Sequence, residues 1–438
     1  MTSTLIKPPA SKPLNAPTVR QFSNGLTVIA EELPVEAVNL SLWLNTGSAR
    51  EPDSINGMAH FLEHAIFKGT PKIPSGEFER AVEQSGAVTN AATSQEYTNY
   101  YITCAPKDFR KLAPLLLEVV LNASIPDVAF ERERLVVLEE IRRSEDNPNR
   151  RNYRRAMEIA FEKLPYRRSV LGPASVISQL TPQQMRDFHS FWYQPPSITV
   201  VATGNLPVEE LIDTVTDAFR EARGNLDLPG RQTSELKAVG ADLEQELPFT
   251  EIVRREFIDP VLQQARLMMF WRVPGLRELS KTYALDVLAT ILGQGQTSRL
   301  FRDLRENRGL VTSISASNTS YKSQGLFSIS ARLPQENLAE VEEAIASHLR
   351  QIREEAIAPA EISRIRRLVA NRFVFANETP SARANLYGYY HSVVGSLQAA
   401  FDYPTSIQSI TAADVREAAS KYLSPNAYGI VTVKPKAS

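Results

Sequence analysis

The chain has 438 residues, enough for roughly two or three domains, and its 43% hydrophobic and 23% charged content is that of an ordinary globular protein. A net charge of −1 leaves no electrostatic case for nucleic acid or an anionic membrane as partner, and no apolar run reaches the ~18 residues of a membrane span. The single cysteine, Cys104, can form no internal disulfide and sits in an apolar run, which predicts a buried structural thiol.

Residues 1–16 are proline-rich and lack the apolar core of a secretory signal, which predicts a tail on a cytoplasmic protein. Strands are predicted at Leu26–Glu31 and at Val38–Leu44, the second alternating as a half-buried strand does. Gly57–Phe67 then reads as a helix that its apolar residues (Met58, Ala59, Phe61, Leu62, Ala65, Ile66) bury nearly all round. It carries His60-Phe-Leu-Glu63-His64. One turn apart, His60 and His64 can face one metal ion, and Glu63 beside them can take a proton from a water on it. This His-x-x-Glu-His order is the inverted zincin signature, so the chain reads as a zinc metallopeptidase with one Zn2+. Such a trio also meets by chance on solvated helices, but a buried Glu between two buried His is costly unless something pairs with them.

Thr98–Ala105 predicts a further strand and Lys107–Ala123 a helix. Phe130–Arg143 follows as a helix with an apolar stripe, and it offers the third ligand that a catalytic zinc needs. Glu133, Val136, Val137 and Glu140 share one face, with Glu140 reaching the metal and Glu133, two turns earlier, orienting a histidine. Glu139 falls on another face with Arg132, Leu135 and Arg142 and reads as a solvated or salt-bridged carboxylate.

The chain then repeats itself. Ser178–Ser197 runs without gaps against Gln408–Ala427, matching Thr181/Thr411, Arg186/Arg416 and Pro195/Pro425 at an offset of 230, and each run leads into a strand (Ile198–Ala202; Tyr428–Val433). Arg266–Trp271 occupies the place of Val38–Leu44, and the helix Tyr283–Leu292 that of Gly57–Phe67, without the metal motif. Leu326–Leu333 reads as a strand, and Val341–Glu355 and Pro359–Phe375 as helices. The fold class is therefore α+β. Residues 17–223 form a metal-binding half, 224–246 (with Pro229-Gly230) a linker, and 247–438 a homologous half without the motif. Each half is predicted to be an antiparallel sheet with helices on one side. His189, His348 and His391 have no ligand-spaced partner, and Tyr389-Tyr390 reads as packing.

With these residues the chain resembles the pitrilysin/insulysin metallopeptidases, specifically the short-chain branch that includes the mitochondrial processing peptidase. The family pattern is His-x-x-Glu-His followed about 75 residues later by a glutamate in a run like Val-Val-Leu-Glu-Glu-Ile; here 140 − 64 = 76. The family's further acidic residue, seven positions earlier, is matched by Glu133. The resemblance implies two halves facing each other around a chamber. It also implies that Asn90–Tyr101 is an active-site edge strand whose backbone at Asn90, Ala91 and Ala92 holds a peptide substrate by strand addition. Thr297–Leu310 is equally characteristic; within it the family's Arg is matched by Arg305, but its Tyr, seven residues on, is Thr312. Arg305 then contacts substrate or, on the bland alternative, is one of several arginines on a charged helix with Arg302 and Arg308. The missing phenol implies a partner, a homologous subunit carrying the Arg/Tyr pair, or else a homodimer. A non-catalytic scaffold, or a peptide-binding subunit of low turnover, is the competing function.

Overall fold

The computed structural model describes residues 16–223, 243–355 and 357–436; most of the tail and of the linker expected at 224–246 lies outside them. The first sheet comprises β1 (Thr18–Gln21), β2 (Thr27–Glu32), β3 (Val38–Leu44), β4 (Val88–Thr93), β5 (Thr98–Cys104) and β6 (Ile198–Gly204), in the order β1-β2-β6-β3-β5-β4. The second comprises β7 (Ile252–Ile258), β8 (Ala265–Pro274), β9 (Ser313–Ser320), β10 (Gln324–Leu333) and β11 (Tyr428–Lys434), in the order β7-β11-β8-β10-β9. Apart from β1 the two orders are the same. The sheets are not wholly antiparallel, because β6 and β11 each return after the helices to slot beside the first strand of their set. The pairs β2–β6 and β7–β11 are consequently parallel.

Helices of the first half are α1 (Met58–Ala65), α2 (Glu77–Gln84), α3 (Phe109–Leu121), α4 (Asp127–Asp146), α5 (Pro148–Ala160), the single turn α6 (Ala174–Ile177), α7 (Pro182–Trp192) and α8 (Val208–Arg223). Those of the second are α9 (Leu279–Gly293), α10 (Leu338–Glu354), α11 (Pro359–Phe375), α12 (Pro380–Tyr389), α13 (Gln398–Ser409) and α14 (Ala412–Tyr422). The repeat read from Thr181 and Thr411 is physical: each residue caps its helix, α7 or α14, with a complete capping box. Upstream of these caps, Arg134 of α4 donates to the carbonyls of Ser178 and Leu180, and Arg366 of α11 donates to those of Gln408 and Ile410. Among the described residues no helix is long and apolar enough to cross a membrane.

β3 is buried at all seven positions, not half-buried. Its second face is covered by a helix from the other half. Ala384, Leu386 and Tyr387 of α12 form one cluster with Ile29, Trp43 and Val201 of the first sheet. Gly388 is required there, since a Cβ would lie 2.0 Å from the Trp43 indole nitrogen. In return α5 lays Ala156, Met157 and Ala160 on Met268, Phe270, Val431 and Val433 of the second sheet. The two crossing helices begin 380 − 148 = 232 residues apart, so the repeat exchanges equivalent helices. Glu246, at the end of the expected linker, is fixed to both halves: its carboxylate accepts from the amides of Glu162, Lys163 and Leu164 and lies 2.9 Å from Arg272.

Candidate metal centre

α1 starts from Gly57, whose φ of 99° and tight contact with the Leu171 carbonyl suit only glycine. The orphan amides of the helix start are met by Glu51, buried, which accepts from Gly57 N at 2.7 Å, Ala59 N at 2.6 Å and Asn56 Nδ2 at 3.0 Å. Burial raises the Glu51 pKa above the ordinary value, against those three hydrogen bonds. Glu51 lies six residues before Gly57, outside capping-box spacing, so no local pattern marks it.

The helix so anchored turns His60 and His64 towards α4. Nε2 of His60 lies 3.4 Å, and Nε2 of His64 3.6 Å, from the same Oε2 of Glu140. The ligand atoms of all three lie within 4.8 Å of one another. A tetrahedral ion with bonds of about 2.0–2.2 Å separates its ligand atoms by about 3.3–3.6 Å, so two nitrogens and a carboxylate oxygen fit a metal ion here. The facing imidazoles hold Glu140 well below the usual carboxylate range, and Glu140 in turn raises His64. Glu133 Oε2 is 3.7 Å from His64 Nδ1, while its other oxygen is 3.0 Å from Lys68. Val136 is not on this face: it is 47% exposed, while Val137 is fully buried, because the packed stripe of α4 runs through Phe130, Glu133, Val137 and Ile141. Glu139 points to solvent, paired with Arg142 and Arg143.

Glu63 is adjacent, and its Oε2 accepts a 2.5 Å hydrogen bond from Thr93 Oγ1 at the end of β4. β4 is the edge of its sheet; Asn90, Ala91 and Ala92 pair with β5 alone, leaving the outer rim of the strand open among the described residues. His60, Glu63, Ala92, Thr93 and Glu140 line a cavity of about 1070 Å³ together with residues of α5 and of the loop 166–174.

Arg305 is not brought to this centre. It lies exposed in a π-helical stretch (Phe301–Asn307), over the Phe301 ring and 3.9 Å from Glu306, and it does not line the cavity. The Thr312 hydroxyl is occupied locally, donating to Gln264 at 2.9 Å. The other histidines serve packing: His189 meets the Val120 carbonyl and is pushed down to about 4 by burial, His348 pairs with Asp303, and His391 meets Thr199. Burial pushes the Cys104 thiol up to about 12. Tyr389 packs against Tyr390 and against Tyr97.

The second half keeps a relic of the arrangement that only strand register reveals. Strand register makes Asn318 of β9 the counterpart of Thr93 of β4. Asn318 donates to Asp286 of α9 at 2.8 Å, much as Thr93 does to Glu63. Three residues before and one after Asp286 stand Tyr283 and Val287, where α1 has His60 and His64. At the Arg134/Arg366 offset of 232, the counterpart of Glu140 is Arg372. Asp286, sealed under Tyr403 and pushed up to about 6 by burial, has no metal-ligand set around it among the described residues.

The chain matches two family models, "Insulinase (Peptidase family M16)" over residues 27–174 and "Peptidase M16 inactive domain" over residues 179–369. An uncharacterized zinc protease of Mycobacterium tuberculosis is 30% identical over 97% of this chain and 94% of its own length. One of Bacillus subtilis is 26% identical over 85% of this chain and 87% of its own. Among solved structures, a protease from Helicobacter pylori superposes with a TM-score of 0.87 at 24% identity, covering 97% of this chain and all of that one. An M16-like peptidase from Alicyclobacillus acidocaldarius does so with a TM-score of 0.83 at 22% identity, covering 98% of this chain and all of that one.

Proposed function

Since the chain belongs to the M16 family of peptidases, we propose that it is a zinc-dependent endopeptidase acting on peptides or short unfolded polypeptides. The observation that carries this is the convergence of His60 Nε2, His64 Nε2 and Glu140 Oε2 beside Glu63, with His60, Glu63 and Glu140 on the wall of one cavity. His60, His64 and Glu140 are the ligands, one ion per chain. Bound there, zinc supplies a Lewis acid that acidifies a water and polarises a carbonyl. Glu63 takes the proton of the attacking water and delivers it to the departing amine, with the Thr93 hydroxyl fixing the orientation of its carboxylate. Glu133 positions His64, and Lys68 positions Glu133. The open rim of β4 at Asn90–Ala92 takes the substrate backbone as an added strand, so recognition of the main chain is independent of side chains.

The surface position of Arg305 and the threonine at 312 favour a second chain, related in sequence and carrying the Arg/Tyr pair, that completes the site. Glu63→Gln tests the reading. The amide keeps the shape but accepts no proton, so hydrolysis should fall by roughly 10²–10⁴-fold, while metal analysis still finds about one ion per chain. Assays run on the chain alone and with such a relative show whether a partner is needed. Turnover surviving in Glu63→Gln would remove the proposed base.

A further inference from the structure

We infer that the cavity selects peptides with acidic side chains, through arginines that the fold leaves without carboxylate partners; this deepens the peptidase reading above and rests on it. Arg150, Arg151, Arg154, Arg167 and Arg168 line the cavity at the metal centre. Four are committed: Arg151 to Asp259, Arg154 to Glu145, and both Arg167 and Arg168 to Asp53. Arg150, exposed in the first turn of α5, has no acidic partner among the described residues. The lining acids do not answer it either. Glu145 and Glu158 lie against Arg154, which leaves only Glu63 and Glu140 of the centre itself.

A second cavity of about 330 Å³ shares Asn149 and Tyr153 with the first and continues it beside α5 over β9 and β10 of the second sheet. Serine hydroxyls of β9 and β10 floor it, its charged residues are Arg266 and Arg332, and no acidic residue lines it. Arg266 donates to Asn149, yet its Nε is buried without an acceptor. Arg332 is exposed, and neither arginine has a carboxylate within ion-pair distance among the described residues. Three uncompensated guanidinium groups along one path make a positive field in a walled cleft, where a peptide carboxylate finds a planar, bidentate partner. The hydroxyls accept and donate to main chain of any sequence. Charge along the substrate is therefore what this surface can discriminate.

The test uses the full chain loaded with zinc and two fluorescein-labelled peptides of equal length, one with three Glu and the other with three Gln at the same positions. Binding is read by anisotropy on the Glu63→Gln protein, so that no cleavage intervenes. The Glu peptide should bind about tenfold more tightly at low ionic strength, and the gap should shrink in ~0.5 M salt. Arg150→Gln combined with Arg332→Gln should bring the two affinities within about threefold, with circular dichroism and Tm reporting an intact fold. Equal binding of both peptides, or a preference that survives in the double variant, overturns the inference. Cleavage by the wild-type protein is scored separately: peptides bound but cut neither alone nor with a related chain would sink the peptidase reading and leave a charge-selective peptide-binding protein.

Discussion

Glu139 and Glu140 are neighbours with the same side chain, and their fates differ because a helix turns about 100° per residue. Glu140 is drawn to two imidazoles, while Glu139 is clasped by Arg142 and Arg143 in solvent. Glu140→Gln replaces one proposed ligand oxygen with an amide that binds metal poorly, and metal affinity should drop at least about tenfold. Glu139→Gln removes only surface ion pairs and should leave metal content as it was. Dialysis against a graded chelator, followed by metal analysis of both variants, checks the contrast; equal losses from the two would undo the ligand assignment. This pair was legible in the sequence because ligand spacing and helical period suffice to separate them. Val136 was misread for a related reason: the packed stripe of α4 is narrower than the spacing rule assumes, and 47% of that residue stays in water.

At the scale of the element, α1 holds two proposed ligands and the proposed base, so its start fixes the site. Glu51 satisfies two of its amides from outside the helix. Glu51→Ala leaves those buried donors unpaired, at a cost of roughly 1–3 kcal/mol each before relaxation, so Tm should fall by several degrees and metal affinity with it. Glu51→Gln, which keeps one acceptor oxygen, should lose less. The pH dependence has a definite sign. Glu51 titrates above its ordinary 4.5 in the folded chain, so the folded state binds more protons than the unfolded one as pH rises past that value. Stability contributed by this group therefore decreases from about pH 4.5 up to its folded pKa, and Glu51→Ala should flatten that slope in urea titrations. Local patterns announced α1, β3, α4 and α11 because period and apolar content act within one segment, whereas α7 and α14 showed only as a repeat. Those patterns were silent on Glu51, whose partners lie outside capping-box reach, and on Asp286, whose kinship with Glu63 emerges only from strand register.

For the whole molecule, the decisive contacts are those that amphipathicity cannot assign. A stripe on α5 or α12 says that the helix is covered, but not by which sheet, and each in fact covers the sheet of the other half. The repeat that the sequence displays at 181 and 411 is thus not a pair of independent units. Without α12, the first sheet exposes Ile29, Trp43 and Val201; without α5, the second exposes Met268, Phe270, Val431 and Val433. At about 1.5–3 kcal/mol for each large apolar side chain returned to water, either loss rivals the total stability of a domain, about 5–15 kcal/mol. Residues 1–223 and 243–438, expressed apart, should accordingly aggregate or bind a hydrophobic dye without a cooperative melt. Expressed together, they should recover as a 1:1 complex that binds metal, because the exchanged helices need the partner sheet but not the covalent join. Analytical ultracentrifugation and thermal melts distinguish these outcomes. A first half that melts cooperatively by itself, within a few degrees of the whole chain, would show that the exchange contributes little to stability and that the metal centre needs only its own half to form.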